Sequence, residues 1–226
     1  MTTPVSSSSR PRCLCAGLAV MTVVLGSVPP LPAQAPPAAG DGPSSKTEIF
    51  NAMQDVQRKY GSDAVMLQGH LMSQAVHNGA IGETVASVGD VENHDGKRFL
   101  VVQLETGIVY NDREISAAAR PARLWSDIVE ASLRKFHTLT VPADGIALRL
   151  GYRHREYDTE AEVRAHFREQ PGTPESAVFY LLLPDVIDLL SDRITAQQLV
   201  ERSTTLVNDT PAHFELAVPT PGESSH

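Results

Sequence analysis

Apolar and polar residues alternate over residues 145–153, placing Ile146, Leu148, Leu150 and Tyr152 on one side of an extended chain and Ala147, Arg149, Gly151 and Arg153 on the other. That pattern predicts a strand with one buried face. A second segment, Ala177 to Leu183, carries no polar group except the Tyr180 hydroxyl, and Pro171, Gly172 and Pro174 punctuate its start. It predicts a buried central strand around which the rest of the chain packs.

Helical spacing dominates the N-terminal part of the domain. Ser45, Lys46, Thr47 and Glu48 match a capping box, Ile49, Met53, Val56 and Tyr60 recur every three or four residues, and Gly61 suits a closing position. A second helix is predicted from Ser62 or Asp63 to about Val76, with Leu67, Leu71 and Ala75 on one face and Gly69 weakening its middle. Residues 83–91 and 97–104 then read as a hairpin turning at Asn93-His94-Asp95-Gly96, with a further turn at Glu105-Thr106-Gly107 before a short strand 108–110.

Pro121 opens a helix whose apolar face is Trp125, Ile128, Val129, Ser132, Leu133 and Phe136. Thr159 to Glu162 and Thr195 to Gln198 mark two more helix starts, with a short helical piece between them from Pro184 to Leu190. Strands at 204–207 and 212–218, joined by Asn208-Asp209-Thr210-Pro211, complete the chain. The fold expected is α+β: an N-terminal helical pair, then an antiparallel or mixed sheet of about five or six strands with helices packed on one face. Alternation over 145–153 argues against a doubly wound sheet, where that strand would be apolar on both sides.

Composition adds a location. Arg10 and Arg12, the apolar stretch Leu14 to Val28 and the small residues Ala33-Gln34-Ala35 form the three parts of an export signal. An apolar stretch of about 15 residues is short for a bilayer span, which needs about 20. The expectation is therefore a signal peptide over 1–35, a linker over 36–45, one globular domain over 46–218 and a tail over 219–226, in a periplasmic or extracellular protein with no stable membrane span after cleavage. Pro36 directly after the cut disfavours cleavage there, so retention as an anchor is the competing outcome. Cys13 and Cys15 both fall within the signal, and a chain cleaved after it has no disulfide and no thiolate.

The net charge is −8, and removing Arg10 and Arg12 without any acid leaves 17 basic against 27 acidic side chains, a net of −10. That balance disfavours nucleic acid as a partner. Residues 120–155 depart from it, with seven basic and three acidic groups. Arg149, Arg153 and Arg155 share one strand face there, and Gly151 between them leaves room for a planar or anionic group. These three arginines are the candidate ligand-binding residues, for a small anion or a protein partner. The bland reading is a solvated face paired to neighbouring carboxylates.

No hydrolase, zinc-protease or nucleotide-binding motif is present. His154 and His166, with Glu156 and Asp158 near them, make a small exported hydrolase the alternative function. Met66, His70, Met72 and His77 are candidate soft metal ligands, but on one helix with no cysteine the methionines are better explained as core filling and the histidines as the edge of its apolar face. No catalytic residue, metal or cofactor is assigned, and whether the chain is an enzyme stays open at this point.

Overall fold

The computed structural model describes residues 46–216, with side chains from residue 51 onward. The expected signal, linker, first capping box and tail lie outside the described residues. The alternating segment becomes β3 (Gly145–Arg155), which is hydrogen-bonded on both sides, to parallel β2 (Lys97–Asn111) and antiparallel β4 (Thr173–Leu182). Outside these lie β1 (Val85–His94), antiparallel to β2, and β5 (Thr204–Val207) and β6 (Thr210–Pro211) beyond β4. The six strands run in sequence order in one mixed sheet.

Helices cover one face of it, as the hydrophobic pattern requires. They are α1 (Lys46–Tyr60), α2 (Ser62–His77), α3 (Arg120–Leu124), α4 (Ala131–Leu133), α6 (Leu183–Leu190) and α7 (Ala196–Arg202), while α5 (Glu160–His166) adds no residue to the core they cover and meets Arg155 through Glu162. A π-helical segment, Trp125–Glu130, joins α3 to α4. All six residues of the expected apolar face here are buried, and the Trp125 ring meets Phe179 edge-on with centroids 5.3 Å apart. Leu67 and Leu71 from α2, Leu189 from α6 and Leu199 from α7 complete the layer over Leu100, Leu148, Leu150 and Phe179. Each of these large side chains stabilises the fold by about 1.5–3 kcal/mol through burial. No helix among the described residues is long and apolar enough to cross a membrane.

The apolar run at 177–182 serves both faces. Ala177, Phe179 and Leu181 join the helical core, while Val178 and Tyr180 form a smaller cluster with Phe99, Val101 and Ala147 on the opposite side, to which no helix contributes. Three boundaries differ from expectation. The turn expected at 105–107 is an irregularity inside β2, where the register shifts between Glu105 and Val109 and Gly107 takes φ +67°. The hairpin turn narrows to Asp95 and Gly96, both at positive φ as a two-residue turn of this kind demands. At the far edge, Asn208 and Asp209 also adopt positive φ, which draws Thr210 and Pro211 into β6. Pro211 has no N–H to continue the ladder, and 212–216 form no regular strand.

Candidate functional site

The three arginines of β3 lie on the sheet face opposite the main helical core, but each is already engaged. Arg149 pairs with Glu92 on β1 at 2.5 Å. Arg153 donates to the Gly172 carbonyl at 2.9 Å, and Arg155 donates to the Gln170 carbonyl at 2.6 Å with Glu162 at 3.5 Å. The space over Gly151 is filled by the Glu105 carboxyl group, whose Cδ lies 2.6 Å from where a Cβ would stand. Glu92 and Glu105 thus share this face with Arg149 and Gly151, beside a pocket of about 240 Å³ that the four residues Gln103, Glu105, Arg149 and Gly151 help to line. The basic excess of 120–155 disperses in the same way: Arg123 pairs with Asp127, and Arg134 with Glu130 and Asp192.

His154 and His166 do not meet. His166 contacts the Glu162 carbonyl of its own helix through Nδ1. His154 instead sits on the helical face at the end of β3, with Nδ1 3.0 Å from both oxygens of Asp112 and Nε2 3.6 Å from Glu175. Between these carboxylates lies Arg120, only 4% exposed, bonded to Asp112 at 2.5 Å and Glu175 at 2.9 Å. Asp112, Arg120 and Glu175 come from the loop after β2, the first turn of α3 and the start of β4. Of the carboxylates expected near His154, Glu156 and Asp158 both turn to Arg113.

Two tyrosines pack beside this cluster, Tyr110 and Tyr152, with rings edge-on at 5.5 Å. Neither hydroxyl has a hydrogen-bond partner among the described residues. Burial pushes both phenols above their ordinary value, with the charge of Asp127 adding to the effect at Tyr110 and that of Glu175 at Tyr152. Nδ1 of His154 is held by Asp112, whereas Nε2 lies 3.6 Å from Glu175, beyond hydrogen-bonding distance. Asp112, Arg120 and Glu175 were not singled out by motif. One local signal existed: a cation in the first turn of a helix opposes the helix dipole, so Arg120 needed carboxylates from elsewhere.

An open concavity lies elsewhere on the helical side, a groove of about 1130 Å³. The loop before α3 and α3 itself form one wall, α7 and the start of β5 the other, and the segment 212–216 closes an end. Its apolar lining comes from Ile115, Ala119, Ala122, Val200, Phe214 and Leu216, and its rim carries Glu114, Glu201 and Glu215. Three contacts pin the closing segment: Ala212 donates its backbone N–H to the Thr205 carbonyl at 2.9 Å, Leu216 donates its own to Gln197 Oε1 at 2.8 Å, and Phe214 meets Phe179 edge-on at 6.1 Å. Pattern reading missed this groove because its walls are exposed alanines and a nonregular segment.

Among the described residues no group of three or more histidines and carboxylates is arranged to hold a metal ion. Met66 is exposed, and His70 packs edge-on against Phe136 at 5.3 Å. Comparison of the chain with family models, with curated proteins and with solved structures found no match in any of the three.

Proposed function

We propose that the protein is exported and binds a small ligand without transforming it, in the groove between α3 and α7. The observation that carries this reading is the groove's size and lining. At about 1130 Å³ it is slightly larger than the roughly 300–1,000 Å³ usual for ligand pockets, and it joins apolar surface to polar and charged side chains. The hydrolase alternative is the weaker reading, because His154 does not line the groove and does not meet His166. The strand face of Arg149, Arg153 and Arg155 is the weaker place for an anion, since Glu92 and Glu105 already stand there.

A neutral fluorescent probe of apolar sites, N-phenyl-1-naphthylamine, tests the groove. Its emission rises saturably with the wild type, and Ala122→Trp, which fills the groove from the α3 side, abolishes the rise while circular dichroism stays unchanged. Equal emission from both proteins, or none from either, removes the groove from the proposal. Export is checked separately by N-terminal sequencing of protein from the extracytoplasmic fraction, with a start near Pro36 expected. A product retaining Met1 in the cytoplasmic fraction refutes export.

A further inference from the structure

We infer that the ligand of this groove is an amphipathic cation, an apolar body carrying an ammonium group, which rests on the groove being the binding site. Three carboxylates, Glu114, Glu201 and Glu215, line it against one guanidinium, Arg123, and one imidazole, His213. Most carboxylates of the described domain stand in ion pairs, yet Glu114, Glu201 and Glu215 stand in none. Among the described residues Glu114 accepts only from the Asn111 amide, at 3.2 Å, and Glu201 only from Gln197, at 3.0 Å. The one guanidinium lining the groove, Arg123, is held by Asp127 through its Nε at 2.6 Å, so it offers the rim little positive charge.

A second observation lies on the β5 wall. Thr205 lines the groove, is 5% exposed, and its hydroxyl has no hydrogen-bond partner among the described residues. A buried hydroxyl without a partner costs free energy that a ligand recovers by bonding to it. Its lone pairs suit an ammonium N–H donor. An anionic head would meet three carboxylates instead, and a neutral one would leave them without a counterion. Ile115, Ala119, Ala122 and Val200 provide the surface for the apolar body.

The experiment is displacement of N-phenyl-1-naphthylamine by three amphiphiles of equal chain length, dodecylamine, dodecanoate and dodecanol, at neutral pH in low and high salt. Dodecylamine displaces the probe about tenfold more tightly than dodecanoate, the scale of one charge-assisted contact, and the margin shrinks in high salt. The double variant Glu201→Gln/Glu215→Gln keeps its affinity for the neutral probe and loses most of the preference. Equal displacement by all three, preference for dodecanoate, or a preference that survives in the variant overturns the inference while leaving groove binding standing. Failure of the neutral probe to bind, including occlusion by a second copy seen as a dimer in sedimentation, overturns both.

Discussion

Arg120→Ala lowers the unfolding free energy by about 3–5 kcal/mol, read from denaturant titration followed by circular dichroism. The guanidinium is buried and bridges Asp112 and Glu175, which themselves are largely shielded from water. Removing it leaves two carboxylates facing one another with only His154 between them. Partial burial makes that repulsion expensive, because the surroundings screen it less than water does. The loss is also structural: Arg120 is where the first turn of α3 is tied to the ends of β2 and β4, so the helix carrying Trp125 loses its anchor. Arg149→Ala is the matched control. Its guanidinium is exposed on the open face, and the pair with Glu92 contributes less than about 1 kcal/mol. Equal costs for the two variants would show that the buried cluster is no more than surface pairing.

Gly107→Val is expected to cost about 3 kcal/mol or more, lowering the thermal midpoint by roughly 6–12 °C in a domain of this size. Two effects add. Gly107 holds φ +67°, a region that a β-branched residue enters only with strain, and its Cβ position lies 2.5 Å from the Gly82 carbonyl oxygen. The Ile81 and Gly82 N–H groups both donate to the Gly107 carbonyl, at 2.8 and 2.9 Å, so the segment cannot retreat without breaking these bonds. Beyond this point β2 resumes its ladder with β3 and presents Tyr110 beside Tyr152. A midpoint within about 2 °C of the wild type would mean that the strand tolerates a side chain here.

Periodicity exposed most of the scaffold because burial is imposed one face at a time. The alternation of 145–153 located β3 and both its faces, and the spacing of Trp125, Ile128, Val129 and Leu133 located the core side of the π segment. Capping chemistry did the same for α7, where Thr195 and Gln198 satisfy each other's backbone as their spacing implied. Pairing between distant segments was not legible. Glu92, Asp112, Glu162 and Glu175 reach their arginines and His154 only through the fold, so a basic excess counted along the chain vanished in space. The groove was hidden for a related reason: exposed alanines carry no periodic signal, and Thr205 is unusual only because the folded chain supplies its hydroxyl with no partner.

Both lateral borders of the sheet are closed to recruitment. On one side β1 breaks register between Val88 and Val91, and Asp90 within that bulge is held by Lys59 at 2.5 Å and by the Tyr60 hydroxyl at 2.7 Å. On the other side β6 is two residues long and ends at Pro211. Bulges, charges, brevity and proline are the devices by which natural sheets resist edge-to-edge growth. Strand addition is therefore a poor route to this molecule, whether for a foreign peptide or for another copy of the chain. Concentrated solutions should resist the templated stacking that exposed edges invite, and recognition falls to side chains on the layer above the strands.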